Sequence, residues 1–295
     1  RTIGNSDKNA SFKGTIFPGG QPGATVRLLP TGAEDKLMKC ALIVMSKIPI
    51  GGFTKTRLIG KLSKEECAAL HSACLYDICS LLSKMGWPAY FSYTGISTTG
   101  ANVSKEILEQ RCNLPQGLLE PFILLEQQGN DLGERMLNSL NQVLEHHPAA
   151  IILGSDLPQL EVKTLQEAAK LLEENDIVLG PCSDGGYYLL GVQHPYPFIF
   201  NNMPWGSNQV LRITSKRVKE HNLKLALLDR DRDLDRWGDL LFFIEQGKVK
   251  KRLLRLHSYR YISNLKVIKE ALKRGNLNEN TDKANLRQSS GGVSS

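Results

Sequence analysis

The chain has 295 residues, of which 41% are apolar, 23% charged and 7% aromatic, enough to bury one or two cores of an ordinary soluble domain. No apolar run approaches the roughly 18 residues that a bilayer-spanning helix needs, which argues against an integral membrane protein. The net charge of +7 is unevenly placed: ten Lys/Arg stand against one Glu between Gly247 and Gly275, and the rest carries 27 cations and 29 anions. A near-neutral body with a basic C-terminal stretch gives a general or specific nucleic-acid-binding reading little support.

Residues 1–36 are rich in Gly, Pro, Ser, Thr and Asn without periodicity, and read as a linker or disordered segment. They begin at Arg1 and hold no apolar signal core, so the sequence is expected to be a piece of a longer protein, not a secreted precursor. Cys40-Ala41-Leu42-Ile43-Val44-Met45 then reads as a buried parallel strand. The loop Lys47–Leu58 follows it, with two glycines, a proline and three cations, and leads toward a helix that Ser63 and Glu66 cap and that runs to about Met85. Strands are predicted at 88–94, 122–125, 149–154, 176–180, 187–191 and 223–228, alternating with helices at 103–112, 132–145, 162–172, 208–221 and 236–246.

This alternation, with strands apolar on both faces, predicts a three-layer α/β/α sandwich with a mainly parallel sheet. The expected divisions are an α/β domain over 37–246, a basic helical segment over 247–275 and a disordered tail over 276–295. The basic segment is expected to pack as a terminal helix; contact with acidic lipid head groups or an acidic partner is the alternative. Six cysteines without a CxxC pair (Cys40, Cys67, Cys74, Cys79, Cys112, Cys182) read as buried reduced thiols of a cytoplasmic protein.

Ligands of such sheets sit beyond the carboxyl ends of the strands, and the unusual residues fall there. The first loop is either a phosphate cradle or an ordinary βα turn; glycines allow close backbone approach, while Lys and Arg neutralise charge. It is no Walker A loop, because Thr54 precedes Lys55 where that motif wants Gly. Gly154-Ser155-Asp156-Leu157-Pro158 offers an Asp that either holds a divalent cation or caps the next helix. Asp184-Gly185-Gly186 fits a hairpin turn or a close approach to a ligand. Asp131, followed by Glu134 and Arg135, is a helix cap or a cleft residue.

Four stretches, KIPIGGFTKTRL, QQGNDLGERM, ILGSDLP and VLGPCSDGGYYLLG, with MPWGSNQVL as a looser fifth, together resemble a bacterial glycosyltransferase-like family long labelled a domain of unknown function. Its fold is that of the nucleotide-diphospho-sugar transferases (GT-A). The matches run in family order over roughly two-thirds of the chain. They are also similar to the 2-phospho-lactate guanylyltransferases and, more distantly, the molybdenum-cofactor guanylyltransferases. The resemblance implies phosphate contacts at Lys47, Gly52, Lys55, Thr56, Arg57 and Ser155, and Mg²⁺ or Mn²⁺ on Asp156. It also implies an acceptor side at Asp131, Arg135, Asp184, Gly185, Gly186, Tyr187, Trp205 and Ser207. Where the family has Asp-x-Asp-Thr-Pro-Glu-Asp, this chain has Asp233-Leu234-Asp235-Arg236-Trp237-Gly238-Asp239, leaving Asp235 as a candidate second metal ligand.

Three functions follow as expectations. A metal-dependent glycosyltransferase would use a nucleoside diphosphate sugar and a small-molecule acceptor. A nucleotidyltransferase would join an NTP to a phosphorylated acceptor and release pyrophosphate. The third is a catalytically silent nucleotide-binding module. The first two need charge stabilisation and positioning, not a Ser, Cys or His nucleophile.

Overall fold

A computed structural model describes residues 40–95 and 103–274. The expected linker over 1–36 and the tail over 276–295 lie outside the described residues. Seven strands form one sheet: β1 (Ala41–Lys47), β2 (Ala89–Thr94), β3 (Phe122–Glu126), β4 (Ala150–Gly154), β5 (Ile177–Pro181), β6 (Tyr187–Val192) and β7 (Leu225–Leu227), in the order β3-β2-β1-β4-β6-β5-β7. Every pairing is parallel except those of β6, which runs antiparallel to both β4 and β5. Wedging β6 between them leaves the carboxyl ends of β1 and β4 beside the turn that joins β5 to β6.

The period of two in β1 divides the core. Leu42 and Val44 pack with Leu75, Ile78, Leu82, Leu108 and Leu165 on one face of the sheet. Ala41, Ile43 and Met45 pack with Met136, Leu140, Val143 and Val218 on the other. Helices α1 (Lys64–Leu82), α2 (Lys105–Arg111) and α4 (Val162–Leu172) therefore cover the first face, and α3 (Leu132–Leu144) and α5 (Val210–Glu220) the second. This is the three-layer α/β/α arrangement expected from the alternation of elements.

α1 starts where the sequence places it: Ser63 accepts from the Glu66 amide while the Glu66 carboxylate accepts from the Ser63 amide. Its far side buries Cys67, Leu70 and Cys74 against α6 (Trp237–Val249), the 3₁₀ turn Lys251–Arg255 and α7 (His257–Asn264). All six cysteines are free and buried. The basic segment therefore packs through Leu253, Ile262, Leu265 and Ile268.

A buried carboxylate secures that packing. Asp77 of α1 accepts from the amides of His257 and Ser258, both at 2.8 Å, and so satisfies donors that the first turn of α7 leaves open. Burial pushes the Asp77 carboxyl above its ordinary value, while these amides work in the opposite sense. Asp77→Ala removes the acceptor and strands two buried amides. The expected loss is about 2 kcal/mol, or a melting temperature lower by about 4–8 °C in thermal denaturation followed by circular dichroism.

Candidate functional site

A cleft of about 670 Å³ opens at the carboxyl ends of β1 and β4. Its walls come from the loop after β1, the N-terminal turn of α3, the loop after β4, the β5–β6 turn and the segment around Trp205. Of the expected site residues, Lys47, Lys55, Thr56, Arg57, Asp131, Arg135, Ser155, Asp156, Asp184, Gly186, Tyr187, Trp205, Ser207 and Asp235 line it. Gly52 and Gly185 lie outside the lining and shape the loops instead.

Local chemistry explains this convergence. Gly185 has φ of +92° and a Cβ there would overlap the Asn208 carbonyl, so glycine alone lets the hairpin turn lie against the start of α5. The turn is thus a hairpin and also a cleft wall: Asp184 Oδ1 accepts from the Gly186 amide at 2.9 Å and the residue still faces the opening. At Gly133 a Cβ would stand 2.9 Å from the Trp205 indole, so α3 can meet Trp205 only through a glycine. Asp131 is the α3 cap, accepting from the Glu134 amide at 2.8 Å, and Arg135 donates to the Gly129 carbonyl at 3.0 Å.

Lys55 has a different role in the geometry from that of an open phosphate contact. Its backbone is left-handed, with φ of 51°, and its side chain is 1% exposed. The ammonium reaches Asp156 Oδ1 at 2.6 Å and donates to the Leu234 carbonyl at 2.5 Å. The Leu234 amide in turn donates to the Asp156 carbonyl at 2.8 Å. His71 Nδ1 stands 3.7 Å from the same carboxylate oxygen, and its Nε2 lies 3.1 Å from the Lys47 carbonyl. Burial works against charge on both partners, yet the Lys55 ammonium, with His71 beside it, holds the Asp156 carboxyl well below the usual carboxylate range. Lys55 is held above its usual value by the same pair.

Asp156 Oδ1 is buried, whereas the side chain as a whole is 41% exposed, so the opposite edge of the carboxyl faces the cleft. Arg57 pairs with Asp235. The Asp235 carboxylate is therefore engaged, and the neighbouring acid not singled out in the sequence, Asp233, completes a different group. Cys182 Sγ and carboxylate oxygens of Asp184 and Asp233 all lie within 4.8 Å of one another. Burial, and then the charges of Asp184, Asp156 and Asp235, push Asp233 from its ordinary value near 3.8 up to about 7. The donors fit a hard divalent cation: Asp184 and the open edge of Asp156 face the cleft and Asp233 adjoins them, while burial keeps Cys182 a thiol. The sequence stretch Asp233-Leu234-Asp235 holds this acid, but its proximity to Asp184 depends on the loop after β7 lying along β5, where the Asp231 amide donates to the Pro181 carbonyl at 3.0 Å.

The comparisons agree with this architecture. A family described as "Uncharacterized protein conserved in bacteria (DUF2064)" matches residues 100–207, just over a third of the chain. That stretch holds the last four resembling motifs up to Ser207, but not the first loop. No curated protein sequence matches the chain. A crystal structure from Desulfovibrio desulfuricans G20, named as a candidate nucleotide-diphospho-sugar transferase, superposes with a TM-score of 0.70 at 24% identity, over 79% of this chain and 98% of that one. The fold is accordingly that of the nucleotide-diphospho-sugar transferases. A cytidylyltransferase from Leptospira borgpetersenii aligns at 13% identity over 81% and 95% of the two chains. Its TM-score of 0.41 is too low to establish a common fold.

Two measurements check this electrostatic arrangement. Lys55→Met leaves Asp156 Oδ1 buried without its cation and is expected to cost about 2 kcal/mol in urea unfolding, less than a fully buried pair because Asp156 is partly open. Between about pH 4 and pH 7 the folded chain holds a proton on Asp233 that the unfolded chain does not, so Asp233 makes stability fall as pH rises through that window. Asp233→Asn is expected to flatten that fall in metal-free buffer and to raise the urea midpoint at pH 7.5.

Proposed function

We propose that the protein is a metal-dependent transferase that uses an activated nucleotide, with a nucleoside diphosphate sugar as donor and a small hydroxyl-bearing molecule as acceptor. The observation that carries this reading is the pairing of opposite charges across one cleft. Lys47 ends β1 and Arg57 stands on the loop after it, and Asp156 and Asp184 stand on the loops after β4 and β5. The D. desulfuricans protein's name lends support at the level of donor class.

In this reading Lys47 and Arg57 contact the diphosphate, with Arg57 exchanging Asp235 for phosphate oxygens. Thr56, Ser155 and the backbone around Gly52 supply further polar contacts. Asp156 and Asp184, with Asp233 adjacent, would hold Mg²⁺ or Mn²⁺, and the ion would supply positive charge for the leaving diphosphate. Lys55 holds Asp156 in place and touches no phosphate. Trp205, Tyr187 and Ser207 shape the acceptor side, where the acceptor hydroxyl bonds the sugar carbon as the carbon–diphosphate bond breaks, its proton passing to solvent and the bonding electrons leaving with the diphosphate. Catalysis then consists of positioning and charge neutralisation.

The test incubates the protein with Mn²⁺ and panels of nucleoside diphosphate sugars and NTPs, following product formation and thermal shift. Release of nucleoside diphosphate from a sugar nucleotide is expected, with at least a hundredfold loss in kcat/KM for Asp156→Ala. Selective turnover of an NTP with release of pyrophosphate would replace this reading with a nucleotidyltransferase. Absence of both, with metal-dependent binding retained, would leave a binding module.

A further inference from the structure

We propose that the C-terminal basic segment is a docking surface for an anionic lipid bilayer. All ten cations between Gly247 and Gly275 are exposed; Lys248, Arg252 and Lys266 pair with Glu245, Glu161 and the half-buried Glu270, which leaves the segment strongly basic. The apolar residues that fasten the segment, Leu253, Ile262, Leu265 and Ile268, point into the core. What remains outside is positive charge joined to exposed aliphatic surface: Val249 is 79% exposed and Leu254 40%. Both sit within seven residues of sequence that also carry Lys250, Lys251 and Arg255.

This composition selects the partner. A near-neutral body with a strongly basic edge is oriented by a negative surface, and each cation near anionic head groups adds to the attraction. Exposed aliphatic side chains gain by entering the boundary between head groups and acyl chains. A single-stranded nucleic acid would instead favour aromatic side chains for base stacking. Here Tyr259 and Tyr261 are half-buried, with hydroxyls donating to the Ile244 and Glu66 carbonyls at 3.2 and 3.1 Å. One helix joins the surface to the cleft. α6 starts two residues after Asp235 and reaches Val249 in 13 residues, about 20 Å of helix, so a docked chain would hold the cleft near the head groups.

The test is co-sedimentation of the full chain with phosphatidylcholine vesicles, with and without about 30% phosphatidylserine, at about 0.1 and 0.5 M salt. Binding to the anionic vesicles at least about tenfold tighter than to the neutral ones, and lost at the higher salt, is expected. The combined variant Lys250→Glu, Lys251→Glu, Arg255→Glu should lose about tenfold or more. Val249→Asn with Leu254→Asn should lose several-fold while keeping the salt dependence. These side chains are exposed, so an unchanged melting temperature keeps the comparison fair. Equal binding to both vesicle types, or wild-type binding by the triple variant, would overturn the proposal. So would capture of a single-stranded oligonucleotide, by fluorescence anisotropy, at concentrations that leave the vesicles unbound.

Discussion

The cleft depends on one buried ion pair. Lys55 Nζ and Asp156 Oδ1 join the loop after β1 to the loop after β4, and the peptide at Leu234 closes the group by accepting from Lys55 and donating to Asp156. Three segments far apart in sequence thereby share one fixed geometry. Holding a non-glycine residue left-handed costs of order 1 kcal/mol, and such a conformation persists only where its surroundings over-determine it. The two partners of the ammonium do so here. The same ion pair leaves one edge of the Asp156 carboxyl on the protein and the other toward the cleft, an orientation that a free aspartate rotamer would not hold.

Much of the fold was legible because buried strands and amphipathic helices have different periods. Cys40–Met45 and Ala149–Gly154 carried no polar residue and emerged as central strands, and the Ser63–Glu66 pair marked the start of α1 almost to the residue. The direction of β6 was less legible: an apolar run of five or six residues reads the same whichever way its neighbours point. The Asp184-Gly185-Gly186 turn gave the hint, since two glycines after an Asp suit a hairpin, and the close approach at Gly185 is to the Asn208 backbone.

At the site, position was easier to read than commitment. A lysine among glycines after a strand suggests an open phosphate contact, but whether its charge is already engaged depends on residues 101 and 179 positions away. Asp131 was ambiguous for a related reason, since capping α3 and lining the cleft are both satisfied by one carboxylate. Asp233 escaped attention because its unusual environment is collective: it exists only where the β7 loop brings it beside Asp184. The stretch matched by the bacterial family ends at residue 207 and starts after the first loop, so it contains neither Lys55 nor the 231–235 segment. The residues that orient Asp156 therefore lie on both sides of the part most readily compared.

The hold of Asp77 on α7 has a consequence for the order of synthesis. Its two amide partners are separated from it by 180 and 181 residues, so most of the domain emerges from the ribosome before they exist. Until His257 and Ser258 arrive, packing the outer side of α1 would enclose a carboxylate with neither of these donors. The side-chain cluster around Leu70 and Cys74 is therefore complete only once α7 is in place. The sandwich can thus assemble around β1 and β4 while its outer helices are still unfinished, and α7 with Leu265 and Ile268 closes over α1 after them.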